Sequence, residues 1–138
     1  SYSVRGQVAG WYTTQKDAAY YGSNQNETAV RELVKEALAQ VDASVELIDL
    51  RSIAPWDKAL VLESVRKTGR VVIVYEAPKT CGFGAELAAL IAEKALLHLE
   101  APIARVAGFD TPFPYTLENE YMPSAERVAR AIRDTANF

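Results

Sequence analysis

The chain has 138 residues, 49% apolar, with a net charge of −3: enough for one domain with a proper core, and with no face obviously loaded with Lys and Arg, which argues against nucleic-acid binding. The single Cys excludes an internal disulfide framework and a cysteine-built zinc site, and it fits a reducing compartment. No apolar run approaches the roughly 20 residues that a membrane-spanning helix needs.

Residues 1–17, SYSVRGQVAGWYTTQKD, show neither helical nor alternating periodicity and read as an irregular or strand-like lead-in. With Ser1 first and no signal-peptide layout, the expectation is an expressed, processed or fragmentary form of a longer chain. Ala18–Gly22, AAYYG, is a short apolar run ending in Gly and suits a buried strand. In NETAVRELVKEALAQV, Val30, Leu33, Val34, Leu38 and Val41 recur at spacings of three and four, one face of a helix. Asn26 is a candidate cap, and Glu27 in the first turn suits the helix dipole.

Ser44–Leu50, SVELIDL, is β-rich, and SIAPWD ends it. Asp57 is placed to cap the helix KALVLESVRKT, with Lys67 and then Gly69 marking its end. Arg70–Ala77, RVVIVYEA, is a continuous apolar run, which predicts a strand covered on both faces. A helix follows from Gly84 to about Leu99, then a strand over Pro102–Gly108. FDTPFPYTLENEYMP, with its three prolines, reads as a loop, and Ser124 caps a last helix, AERVARAIRDTA. Strands alternating with helices imply right-handed crossovers. The expected fold is one three-layer α/β/α domain over residues 1–138, with a mainly parallel five-stranded sheet.

Four groups carry potential chemistry. The loop Cys81–Gly84, CGFG, at a helix N-terminus offers amides to a phosphate, but it lacks the Lys-Ser/Thr of a P-loop and the G-x-G-x-x-G spacing. A tight strand-to-helix turn is the preferred reading. Cys81 as a nucleophile needs a base. The only His, His98, is predicted at the far end of the following helix, roughly 20 Å away or more at ~1.5 Å per residue, so a structural Cys and a helix-end His are preferred. Asp110, Glu118 and Glu120 form a carboxylate pair, a cation site, an acidic rim for a basic partner or, most simply, a solvated surface. Tyr20–Thr28, YYGSNQNET, has strand-loop-helix order with donors at Gly22, Ser23, Asn24 and Thr28. It loosely resembles the FMN phosphate loop of flavodoxin-like proteins, without a ring-stacking pair, and is held as the alternative reading.

Along VELIDLRSIAPWD, KTGRVVIVYEAPKTCGFGAELAALIAEKAL, LEAPIARVAGFDTPFPY and YMPSAERV the chain resembles the C-terminal domain of transketolase-like, thiamine-diphosphate-dependent enzymes. Within them it is most similar to the beta subunit of 2-oxo acid dehydrogenases of pyruvate or branched-chain type. The resemblance covers Ser44–Phe138, with its pieces in the family's order. Residues 1–25 stand outside it. It departs at Cys81, where the family usually carries the first of two adjacent glycines and where a Cβ restricts positive φ.

The resemblance implies a parent reaction, oxidative decarboxylation of a 2-oxo acid with acyl transfer to a lipoyl group. It also implies that thiamine diphosphate, magnesium and the activating glutamate belong to other parts of the parent enzyme, so that no catalytic, cofactor-binding or metal residue is expected in this chain. Its role would be assembly and docking, in the cytoplasm of a bacterium or the mitochondrial matrix of a eukaryote. In AELAALIAEKALLHLE, Glu86 and Glu93 share a stripe flanked by Lys94, and nearly every other position is Ala, Leu or Ile. That exceeds the apolar third a helix needs on one sheet. Leu87, Ile91 and Leu97 are therefore expected at an oligomer interface, a homodimer or an alpha2beta2 assembly with an alpha subunit. The ending RDTANF resembles that of bacterial pyruvate dehydrogenase beta subunits. This marks Phe138 as an apolar anchor and Asp134 as a charged contact for the peripheral binding domain of a lipoyl acyltransferase.

Overall fold

The structure, a computed structural model, describes residues 2–5, 33–50 and 54–138. In chain order they form β1 (Tyr2–Arg5), helix α1 over residues 33–39, β2 (Val45–Ile48), α2 (Lys58–Thr68), β3 (Val72–Pro78) and α3 (Phe83–Ala95). A 3-10 turn (Leu96–His98) follows, then β4 (Ala104–Gly108), a second 3-10 turn (Tyr115–Leu117), α4 (Glu118–Tyr121) and α5 (Ala125–Ala136). The expected strand Ala18–Gly22 and the Tyr20–Thr28 loop lie outside the described residues.

Local chemistry sets the helix ends. The Asp57 carboxylate accepts from the Leu60 amide at 2.9 Å, and Arg66 and Lys67 occupy the last turn of α2, each placement favourable to the helix dipole. Gly69 then turns left-handed at φ 68° and donates its amide to the Val65 carbonyl at 2.8 Å, the C-cap geometry that glycine enters at least cost. Ser124 caps α5 by accepting from the Arg127 amide at 3.2 Å.

All the described strand pairing is parallel. β1 pairs with β2, Tyr2 opposite Val45, and β3 pairs with β4, Val72 opposite Ala104 and Val74 opposite Val106, before the register shifts toward Pro78 and Gly108. The described strands thus form two two-stranded sheets, and the remaining one of the five strands expected, Ala18–Gly22, lies outside the described residues. Residues along β3 alternate between the two faces, as the pleat requires. Ile73 and Tyr75 join Val61 and Val65 of α2 and Leu87, Ile91 and Ala95 of α3. Val72 and Val74 face Val34, Ala37 and Leu38 of α1 and Val128, Ala129 and Ile132 of α5. Strand β2 divides in the same way: Val45 and Leu47 pack with the second cluster and Ile48 with the first. Both pairs therefore lie in one layer between two helical layers, an α/β/α sandwich. Among the described residues they border a common cavity of about 460 Å³, reached by Val128 and Ile132 from one helical layer and by Leu87 and Ile91 from the other.

The breadth of the apolar surface on α3 is explained here. One side meets β3 and the other meets α2, so Leu87 (8% exposed) and Ile91 (1%) lie inside the domain. Full burial of one such side chain contributes about 1.5–3 kcal/mol. This corrects the expectation that they face a partner. A second element within the domain covers them, and of the expected interface set Leu97 alone projects outward, 96% exposed.

The turn entering α3 is fitted around Tyr75, which is buried. A Cβ on Gly84 would fall inside the Tyr75 ring, and one on Gly82 would strike both that ring and the Pro78 carbonyl. Cys81 takes the left-handed conformation at φ 59°, a placement that costs a non-glycine residue about 1–2 kcal/mol. Replacing Gly84 by Ala is expected to destabilise by about 1–3 kcal/mol, the range for overpacking a filled core. It should lower the urea midpoint at unchanged slope; an unchanged midpoint would mean that the Tyr75 ring has room to move.

Candidate functional site

In a parallel α/β sheet, ligand and partner surfaces form beyond the carboxyl ends of the strands. Here that rim is made by the connection from β3 to α3 and the connection from β4 to α5. They are 30 residues apart in sequence and are joined by one side chain. The Asp110 carboxylate accepts from the Thr80 amide at 2.8 Å and from the Thr80 hydroxyl at 2.6 Å. These bonds, the hydroxyl's first, hold the Asp110 carboxyl below its ordinary value. Their stabilising contribution is present above the unfolded carboxylate's pKa and is lost as pH falls through the depressed folded value.

From beneath, Arg105 of β4 donates to the Lys79 carbonyl at 2.9 Å and to the Tyr75 hydroxyl at 3.3 Å. The CGFG segment is thus a turn packed on a tyrosine and tied to the neighbouring strand. Cys81 is exposed on it, and His98 is exposed in the 3-10 turn at the opposite end of α3. The helix holds the two apart.

The β4 connection is built on aromatic rings. Tyr121 is buried over Gly108, whose missing side chain admits the ring. Phe113 meets Tyr121 edge-on at 5.1 Å and Tyr115 at 5.4 Å, and Phe109 meets Tyr121 at 6.3 Å. The Arg127 guanidinium lies 4.8 Å from the centre of the Phe109 ring. It donates to the Ala107 carbonyl at 2.6 Å and to the Met122 carbonyl at 3.2 Å, and its burial pulls its pKa down. Burial pushes the Tyr121 hydroxyl up, with the negative charges of Glu76 and Asp110 adding to the effect.

The sequence-predicted residues separate accordingly. Asp110 spends both oxygens on Thr80, while Glu118 and Glu120 are exposed on α4, so the three do not assemble into an acid–base pair. Among the described residues no group of three His, Cys, Asp or Glu side chains is placed to hold a metal ion, and no helix is long and apolar enough to cross a membrane. Phe138 is 76% exposed and Asp134 is exposed one turn before it. The terminal helix is held up to that point: the Asn137 amide closes on the Arg133 carbonyl at 3.0 Å, and Arg133 donates to the Gln40 carbonyl at 3.1 Å.

Sequence reasoning missed Thr80, Arg105, Arg127 and Glu46. The carboxylate of Glu46, 4% exposed, accepts from the Ser64 hydroxyl at 2.8 Å and lies 3.6 Å from the Lys67 ammonium. Arg105, Arg127 and Glu46 shared one signal, a charged residue inside an apolar strand or helix face, as in VELI and ARVAG, while Thr80, in the turn, carried none.

Residues 26–128 match the family model for the transketolase C-terminal domain. The chain is 57% identical over 95 residues to the mitochondrial 2-oxoisovalerate dehydrogenase subunit beta 2 of Arabidopsis thaliana, covering 69% of this chain and 26% of that protein. It is 48% identical over 120 residues to the mitochondrial 2-oxoisovalerate dehydrogenase subunit beta of Dictyostelium discoideum, covering 87% and 32%. It is 52% identical over 98 residues to the pyruvate dehydrogenase E1 component subunit beta of Leifsonia xyli, covering 70% and 29%. The chain thus spans about a quarter to a third of the length of these relatives. Among solved structures, a split-gene transketolase described as an inactive beta4 tetramer shares the fold, with a TM-score of 0.55 at 24% identity, covering 76% of this chain and 35% of that one. Three-layer architecture, matched family model and close relatives agree: the chain belongs to the transketolase C-terminal domain family, in the branch of the 2-oxo acid dehydrogenase beta subunits.

Proposed function

We propose that this chain is the assembly and docking domain of the beta subunit of a 2-oxo acid dehydrogenase, and that it performs no chemistry by itself. The observation that carries this reading is the 57% identity over 95 residues to a branched-chain beta subunit. In the parent enzyme the reaction would be oxidative decarboxylation of a 2-oxo acid with acyl transfer to a lipoyl group. Mitochondrial and bacterial relatives support a site of action in the mitochondrial matrix or the bacterial cytoplasm.

Thiamine diphosphate and magnesium are assigned to the rest of that enzyme. Two features support that assignment: the CGFG turn is closed onto Tyr75, and both Asp110 oxygens are bonded to Thr80. What the domain offers instead is exposed apolar surface at its helix ends. Leu96 (61% exposed) and Leu97 follow α3, and Phe138 follows α5. Subunit pairing is assigned to the first and docking of the acyltransferase's peripheral binding domain to the second. Phe138 supplies an aromatic anchor of the kind that dominates interface energy, and Asp134 a carboxylate for a basic partner.

Three measurements test this. The purified chain, supplied with thiamine diphosphate and magnesium, should give no binding heat and no turnover of pyruvate or a branched 2-oxo acid; turnover would overturn the reading. Sedimentation should show self-association that Leu97→Lys abolishes while the far-UV circular dichroism spectrum stays unchanged, and a monomer across the micromolar range would remove Leu97 from the interface. Deleting Asn137 and Phe138 should weaken binding of the peripheral domain by about 1–3 kcal/mol, and unchanged affinity would assign docking to another surface.

A further inference from the structure

We propose that the aromatic rim beyond β4 is a docking surface for an arginine-bearing basic segment of a partner protein. The inference stands on the rim alone and does not need the roles assigned to Leu97 and Phe138.

Within one short connection Phe109 is 50% exposed, Tyr115 88% and Leu117 58%, with Phe113 beside them. Isolated exposed apolar residues need no explanation, but a contiguous group of them marks an interaction surface. This group is also preorganised. Phe113 is held edge-on between Tyr115 and Tyr121, Tyr121 is buried, and Arg127 fixes Phe109 through its ring face and two carbonyls. Rings already fixed lose little freedom when a partner arrives, which removes part of the cost of binding.

Charge selects the occupant. Glu118 and Glu120 are exposed on α4, the helix that carries Tyr121, and Asp110, next to Phe109 in sequence, is exposed with both its oxygens bonded to Thr80. Arg127 turns its charge inward, toward the Ala107 and Met122 carbonyls. A cationic partner at this connection therefore meets the exposed rings with the free ends of Glu118 and Glu120 close in sequence. Arginine suits that combination better than lysine. Its planar guanidinium stacks on aromatic faces and forks onto carboxylates, and it is more weakly hydrated than an ammonium. Arg127 against Phe109 is an internal instance of the same contact.

The test titrates the full chain into fluorescein-labelled peptides of alternating arginine and glycine, lysine and glycine, or glutamate and glycine, at low and high salt, followed by anisotropy. The arginine peptide should bind more tightly than the lysine peptide, and the glutamate peptide should not bind. Tyr115→Ala should weaken the arginine peptide about three- to thirty-fold, and Glu118→Gln with Glu120→Gln should flatten its salt dependence. Leu117→Ser is a second variant on the same surface should Tyr115→Ala disturb the fold. Failure of the arginine peptide to bind would overturn the proposal. Equal binding of arginine and lysine peptides, unmoved by either surface substitution, would do the same by reducing the effect to diffuse charge. Loss of self-association on Tyr115→Ala would give the rim to a second copy of the chain and overturn it as well.

Discussion

Burial of β3 on both faces is the constraint on which the rest of the domain depends. A strand covered on one side can present polar residues to water. One covered on both cannot, and Val72, Ile73, Val74 and Tyr75 are apolar or aromatic in succession. Two helical layers must then be supplied from distant parts of the chain, α2 and α3 for one and α1 and α5 for the other. The capped helix ends serve that demand. Gly69 turns the chain from α2 toward β3, and its carbonyl accepts the Glu100 amide at 2.7 Å at the approach to β4.

Tyr75 carries the consequence to the rim. It is core on its ring and polar at its tip, where it meets Arg105 and the Lys79 carbonyl. The glycines of the following turn are small because that ring occupies the space where their side chains would stand. The same residue that completes the core therefore shapes the loop that Thr80 and Asp110 then fasten to the β4 connection. Core packing and rim geometry are not independent here, and the absence of side chains at 82 and 84 makes room for the Tyr75 ring.

Features written in contiguous residues were legible in the sequence. The caps at Asp57, Gly69 and Ser124, the two-sided packing of Val72–Tyr75 within the strand read at Arg70–Ala77, and the α/β alternation all follow from spacings of a few residues. So did the family, because the apolar runs and glycine turns of residues 44–138 keep one order. What required the structure was contact across long separations. Asp110 reads as a surface carboxylate until Thr80 is placed against it, and Arg127 reads as a solvated helix position until Phe109 and two carbonyls close around it. Leu87 and Ile91 were misassigned for a related reason. Helical periodicity locates an apolar stripe but cannot say whether a second helix or a second subunit covers it, and α2 covers this one.

The division of the two helical layers also has an order in time. The layer formed by α2 and α3 comes from neighbouring segments of one stretch of chain, 58 to 95, and meets the β3–β4 pair as soon as β4 follows it. The opposite layer joins α1 to α5, and its bond from Arg133 to the Gln40 carbonyl spans 93 residues. During synthesis the second face of β3 thus has α1 alone to cover it until α5 follows. Val72, Val74 and Val106 keep part of their apolar surface open over that interval, and the face closes when α5 packs Val128, Ala129 and Ile132 against it.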